Sequence, residues 1–179
     1  DIFGHSDPAE LVGGDFYDYN MVDEHTLSVS IGDASGHGIP AALLVRDVVI
    51  GLRMGLAKEF RNVHMLERLN KVIQKSTYST TFVSLFLCEI ERDGHIFYVN
   101  AGHPGPFLIS DNGIEDLEAT GITLGFLPDI NLSRSHVYMP EDSILVLFTD
   151  GIIERGELDG EQLGLQALKK LVYQNRDKT

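Results

Sequence analysis

The sequence predicts an α+β fold in which antiparallel strands form the centre and helices pack outside them. Three observations carry this. From Thr81 to Gly113 strand-like segments alternate with turn residues, at Arg92-Asp93-Gly94 and again at Asp111-Asn112-Gly113, which reads as an antiparallel meander. Within it, Phe82 to Cys88 is apolar on both faces, so this strand is central and covered by a second layer on each side. Ahead of it, two apolar stripes at helical spacing follow one another, near residues 40–57 and 64–76, and predict a packed helix pair.

Taken in order, residues 1 to 12 read as a short strand with a turn at Ser6-Asp7-Pro8, and Gly13-Gly14 then gives a flexible entry into an aromatic strand from Asp15 to Tyr19. Strand parity groups Asp15 with Tyr17 and Tyr19, and Asp18 with Phe16 and Asn20. At most one of these two aspartates therefore shares a face with a given neighbour, and the glycine pair favours Asp15 as the position where backbone and ligand come close. Asp23 to His25 forms a hairpin turn. The next strand alternates Leu27, Val29 and Ile31 with Thr26, Ser28 and Ser30, which puts Asp33 on the apolar face. An inward carboxylate with no Lys or Arg beside it in sequence calls for a cation, although a helix cap or turn role would equally explain an aspartate before Gly36-His37-Gly38.

Pro40 suits the first position of a helix carrying Ala41, Leu44, Val45, Val48, Leu52 and Leu56, apolar on most of its circumference and so expected against both a sheet and another helix. The second helix carries Met65, Leu66, Leu69, Val72 and Ile73. After the strands Thr81–Glu91 and His95–Ala101, Gly102-His103-Pro104-Gly105-Pro106 interrupts the meander with residues that cannot continue a ladder. His103 there reads either as a ligand or proton donor or as a hydrogen-bonded turn histidine. Residues 107–110 return to strand, and 114–140 read as short strands and loops. Ser143 to Gly151 repeats the earlier design of a buried strand ending in Asp-Gly, with Asp150 grouped by parity with Ile144, Val146 and Phe148, and with Glu154 within reach of the same loop. An amphipathic helix with Leu165, Leu168 and Leu171 runs to about residue 174.

A chain of 179 residues fits one domain, 1–179, with a sizeable core. Fourteen Lys plus Arg against 27 Asp plus Glu give a net charge of −13 with no basic run, which argues against a nucleic-acid or anionic-membrane surface and favours divalent cations or basic partners. Much of that acidity serves solubility whatever the function. Cys88 is the single cysteine, sits in an apolar strand, and reads as an inert buried thiol with no sign of an oxidising compartment. Apolar runs such as Ile144 to Phe148 are too short to cross a bilayer, so a soluble, cytoplasmic domain is expected. Its start at Asp1 suggests a piece excised from a longer regulatory protein.

If Asp15, Asp33 and Asp150 converge, their hard oxygen ligands suit Mg²⁺ or Mn²⁺ rather than zinc. Two such ions would hold a phosphate and activate water without a covalent nucleophile. Ser35 has no activating Lys or His, and arginines to clamp a phosphate are few.

Five ordered motifs carry a resemblance. Gly-Gly-Asp-Phe-Tyr-Asp at 13–18, Gly-Asp-Ala-Ser-Gly-His-Gly-Ile-Pro-Ala-Ala-Leu at 32–43, Asn-Ala-Gly-His-Pro at 100–104, Leu-Gly-Phe at 124–126 and Phe-Thr-Asp-Gly-Ile-Ile-Glu at 148–154 resemble the SpoIIE/RsbU-type serine phosphatases of bacteria, a branch of the metal-dependent type 2C protein phosphatases. The resemblance implies a four-layer α-β-β-α sandwich of two antiparallel sheets flanked by helix pairs. It makes Asp15, Asp33 and the Ala34 carbonyl ligands of a dinuclear Mn²⁺ or Mg²⁺ centre and Asp150 a ligand of the other ion. The implied substrate is a phosphorylated STAS-domain anti-anti-sigma protein in a partner switch that releases a sigma factor. The family setting also implies an upstream sensor or receiver domain, allows a homodimer, and gives Gly36 to Leu44 a role in relaying a signal to the metal loop. Two departures stand out. His103 occupies a place where the broader type 2C pattern has Asp, and no Asp-Asp-x-Thr segment follows Leu171, so one metal site is expected to be incomplete, the domain truncated at its C-terminal end, and activity weak. The rival readings are a silent phosphatase-like module that binds a signalling partner, and a phosphodiester hydrolase, which the lack of a basic groove disfavours.

Overall fold

The computed structural model describes residues 1–8, 12–56, 62–76, 81–155 and 162–176. Two antiparallel sheets lie face to face. The larger is built from β1 (Asp15–Met21), β2 (Thr26–Ala34), β3 (Val83–Glu91), β4 (His95–Ala101) and β7 (Ser135–Tyr138), in the order β1-β2-β3-β4-β7. The smaller holds β5 (Phe107–Ser110), β6 (Gly113–Asp116) and β8 (Ile144–Val146), in the order β6-β5-β8. Helices α1 (Gly38–Leu56) and α2 (Asn62–Ser76) cover the outer face of the large sheet; α3 (Asp150–Ile153) and α4 (Gly164–Asn175) lie on the side of the small one. This is the four-layer α-β-β-α order expected.

The layers follow from alternation along the strands. On β3, Phe86 and Cys88 enter the core between the sheets, with Ile31, Ile96, Tyr98, Leu108 and Val137, while Val83, Leu85 and Leu87 pack under the helices. The doubly apolar run is thus the middle strand of five, as its composition requires. On the far side Phe107, Ile109 and Phe148 meet Leu168 of α4. No helix among the described residues is long and apolar enough to cross a membrane.

Several expectations are corrected. Residues 1–8 form no strand, and Ile2 and Phe3 are exposed; positions 9–11 lie outside the described residues. The expected single meander is split, because the Gly102–Pro106 break carries the chain from the large sheet to the small one before β5 begins. The last strand is only three residues long. Helix α1 buries Ala41, Leu44, Val48 and Leu52 but leaves Ile39, Leu43, Ile50 and Met54 exposed, so its second apolar face is not covered by this chain's described residues.

Candidate metal centre

Asp15 and Asp33 are direct partners in the β1–β2 ladder, and cross-strand partners project to the same side of a sheet. That side is the seam between the sheets, where Ile31, two residues before Asp33, is buried. Asp18 projects to the opposite, helix-covered side. There Arg53 of α1 donates from Nε to its Oδ2 at 2.9 Å and from Nη2 to its Oδ1 at 2.7 Å. Parity therefore separates the two aspartates as the spacing implies.

Asp150 arrives by a different route from the one parity suggests. Ile144, Val146 and Phe148 face α4, away from the seam, while Leu145 and Leu147 face the other sheet. The ladder ends at Val146, Thr149 is extended at the N-cap of α3, and Asp150 opens that short helix. Leaving the strand resets the direction of the side chain, and Asp150 turns toward the other sheet. Thr149 Oγ1 donates to Asp15 Oδ2 at 3.0 Å and fixes the turn to β1. Asp15, Asp33 and Asp150 each bring a carboxylate oxygen to within 4.8 Å of the other two. They are the one group of three or more acidic, His or Cys side chains among the described residues close enough to share an ion.

The electrostatics of the cluster are unbalanced. Burial, then the negative charges of Asp15 and Asp150, push the Asp33 carboxyl up to about 6. Burial raises Asp15 as well, opposed by the hydrogen bond from Thr149. Arg53 is engaged with Asp18 on the other side of the sheet and offers no compensation. Carboxylates that burial first, and then each other's charge, hold back from ionising present the potential a divalent cation would relieve. The backbone fits the same use. A side chain at Gly14 would collide with the Ala34 carbonyl oxygen and come within 2.8 Å of Asp33 Oδ1, so the glycine keeps clear a cradle in which that carbonyl and that carboxylate oxygen lie side by side. The Ala34 N–H, for its part, donates to the Gly14 carbonyl at 3.1 Å.

His103 is a hydrogen-bonded turn histidine rather than a member of the cluster. It is 4 % exposed, its Nε2 lies 3.1 Å from the Phe148 carbonyl and its Nδ1 2.8 Å from Ser84 Oγ. A carbonyl only accepts, so Nε2 carries the proton and Nδ1 accepts from the serine. Burial holds its pKa down to about 4, which keeps the ring neutral. The Ser35 hydroxyl accepts from the Phe82 N–H at 2.9 Å and acts as a loop fastener. Glu154 closes α3 through its N–H to the Asp150 carbonyl and is not among the three clustered carboxylates. Thr149, though inside the motif at 148–154, and Ser84 carried no sequence signal for these roles, because each acts through a partner distant along the chain.

Two facing sheets between helix layers, with acidic side chains meeting at one end of the seam, define the class of PP2C-type phosphatase domains. This chain belongs to the SpoIIE family: the model of stage II sporulation protein E (SpoIIE) matches residues 23–179, which takes in Asp33 and Asp150 and leaves β1 and Asp15 outside. It is 31% identical over 157 residues to phosphoserine phosphatase RsbU of Bacillus subtilis, across 86% of this chain and 47% of that protein. The chain thus spans less than half the length of that relative. Among solved structures it resembles the RsbU and RsbW domains of Rv1364c from Mycobacterium tuberculosis, with a TM-score of 0.78 at 23% identity over 94% of this chain and 47% of that one. It also resembles the SiaA-PP2C domain of Pseudomonas aeruginosa, with a TM-score of 0.79 at 20% identity over 94% of this chain and 68% of that one. At these identities the structures speak for the fold alone.

Proposed function

We propose that this chain is a metal-dependent serine/threonine protein phosphatase whose substrate is a phosphorylated STAS-domain anti-anti-sigma-type regulator. Its ion centre is Mn²⁺ or Mg²⁺, held by Asp15, Asp33, Asp150 and the Ala34 carbonyl. The observation that carries this reading is the convergence of two carboxylates of the large sheet with a third from the helix that follows the small one, in a chain of the SpoIIE family. The name of the B. subtilis relative, a phosphoserine phosphatase, supports the reaction class.

Held by these residues, divalent cations would supply Lewis acidity to lower the pKa of a water and offset the charge of a phosphate. The chain's own residues do the rest. Asp15 and Asp33 set the ion position from adjacent strands, Thr149 orients the Asp15 carboxylate, and Asp150 closes the site from the other sheet. None of the clustered side chains is a nucleophile of the Ser or Cys kind, and Ser35 is held by a backbone N–H, which favours direct attack of water over a covalent intermediate. A net charge of −13 suits a substrate protein that is basic around its phosphoserine. A cytoplasmic setting, a partner-switching role, an upstream sensor or receiver domain and a homodimer belong to the same proposal.

The test is Mn²⁺-dependent release of phosphate from a phosphoserine STAS protein, with Asp33→Ala and Asp150→Ala as controls. Release that both substitutions abolish supports the enzyme. Mn²⁺ binding with no release from the wild-type chain would favour a silent partner-binding module.

A further inference from the structure

The Asn-Ala-Gly-His-Pro segment is not accounted for by the carboxylate cluster, yet it is among the most constrained parts of the molecule. Asn100 is fully buried and clamps the turn from both sides: its Oδ1 accepts from the His103 N–H at 2.9 Å and its Nδ2 donates to the His103 carbonyl at 3.2 Å. Thr120 holds Asn100 in turn, accepting from its N–H and donating its own N–H to its carbonyl, both at 2.9 Å. Gly102 takes φ +68°, and a side chain there would strike Thr123. All of this geometry serves to present one imidazole to the seam.

What the imidazole joins is specific. Ser84 is the ladder partner of Asp33 and projects to the same side of the sheet. Phe148 precedes Thr149, which holds Asp15, and stands two residues before Asp150. The ring therefore spans from the strand beside Asp33 to the turn that bears Asp150, across the gap between the two sheets. The small sheet carries Asp150 on a turn whose last ladder pair is Phe107–Val146, so the strand itself does not hold that turn in place.

We propose that His103 is a positioning residue for the metal centre, a splint that fixes the Asp150 turn after the small sheet against the Asp33 end of the large one. This rests on the reading of the three aspartates as metal ligands. Groups hydrogen-bonded directly to metal ligands typically change metal affinity by about 10- to 100-fold when lost; His103 holds Ser84 and the Phe148 carbonyl, one step further from the ligands, so the lower end of that range applies.

The experiment compares His103→Leu, His103→Asn and His103→Gln with the wild-type chain. Glutamine reaches as far as Nε2 and can donate to the Phe148 carbonyl, whereas asparagine reaches only to Nδ1 and Ser84. Mn²⁺ affinity is read by calorimetry on folded protein, kcat and KM on p-nitrophenyl phosphate, and unfolding temperature without metal. Leu and Asn are expected to lose about 10-fold or more in Mn²⁺ affinity and to lower kcat with KM little changed, and Gln to recover most of both. A structural role alone would lower the unfolding temperature and leave the Mn²⁺ affinity of the folded protein unchanged; that result, or equal losses in Asn and Gln, overturns the inference. Should Leu fail to fold, the contrast between Asn and Gln decides. A wild-type chain that binds Mn²⁺ but hydrolyses nothing overturns the phosphatase reading instead, and the affinity comparison still decides the role of His103.

Discussion

Asp15 stands directly across the β1–β2 ladder from Asp33, while Asp18, three residues further along the strand and so of opposite parity, is held on the other side of the same sheet by Arg53. Two like charges on facing positions of a ladder destabilise it unless something neutralises them. The arrangement makes sense as a cation site, and it assigns opposite roles to two aspartates only three residues apart.

Asp15→Asn is therefore expected to weaken Mn²⁺ binding by at least 10-fold, and Asp18→Asn to leave it within about a factor of two. The second substitution removes a two-pronged, half-covered pair with Arg53 on the far face of the sheet, so its cost falls on stability and not on the ion. Calorimetric titration of both variants checks this, and an Asp18 variant as weak as the Asp15 variant would place the ion on the wrong face of the sheet.

The shift at Asp33 gives the metal-free protein an inverted pH response. Its carboxyl titrates at about 6 when folded, above the ordinary carboxylate value of about 4 in the unfolded chain. A raised folded value means that the contribution to stability is fully present below the unfolded pKa and is lost as pH rises through the folded one. In the presence of EDTA the wild-type chain should thus lose stability relative to Asp33→Asn between about pH 4 and pH 7, the difference favouring the variant at pH 7. Saturating Mn²⁺ should reverse the order at pH 7, because the ion stabilises only the chain that binds it. Thermal unfolding of the two proteins across this range, with and without metal, reads both signs.

How much of this was legible in the sequence depends on how regular each element is. Strand β2 is paired on both sides from Leu27 to Asp33, so two-residue alternation carried Asp33 to the seam as expected. The same reasoning mislaid the face of β8, which ends at Val146, four residues before Asp150. Asp150 reaches the site because the chain leaves the ladder, and a period of two says nothing about residues beyond a strand. The Gly102–Pro106 break was readable as the end of a ladder, but not as the crossing between sheets or as the mount of His103, since both depend on Phe148 far along the chain. Helix α1 was legible as apolar on most of its circumference; that Ile39, Leu43, Ile50 and Met54 stay exposed is a property of the packing, not of the helix.

Asn70 illustrates a buried polar residue that a helical stripe conceals. It is fully buried on α2, donates from Nδ2 to the carbonyls of Leu127 at 3.0 Å and Pro128 at 3.1 Å, and accepts from the Gly125 N–H at 2.7 Å. Asn70→Ala leaves the Gly125 donor with no side-chain acceptor in a buried setting, which costs about 1–3 kcal/mol. Urea unfolding should show the unfolding free energy lowered by that amount, as a lower midpoint at unchanged m-value. A loss below about 0.5 kcal/mol would mean that water replaces the amide.

Cys88 offers a reporter that links the core to the metal centre. It lies fully buried between the sheets, and burial pushes its thiol up to about 12, so the reactive thiolate is scarce in the native state and out of reach of reagents. Labelling by an aromatic disulfide at pH 8 should proceed only through opening of the sandwich. β2 carries both Asp33 and Val29, the ladder partner of Cys88, so the opening that frees the thiol also disassembles the metal centre. Mn²⁺ at 100 times its dissociation constant should then slow labelling by about 100-fold, the factor by which ligand binding depopulates the open form. Asp33→Asn should abolish that protection while leaving the thiol buried. Labelling that is slow but insensitive to Mn²⁺ in the wild-type chain would show that the seam opens around Cys88 with the carboxylate cluster intact.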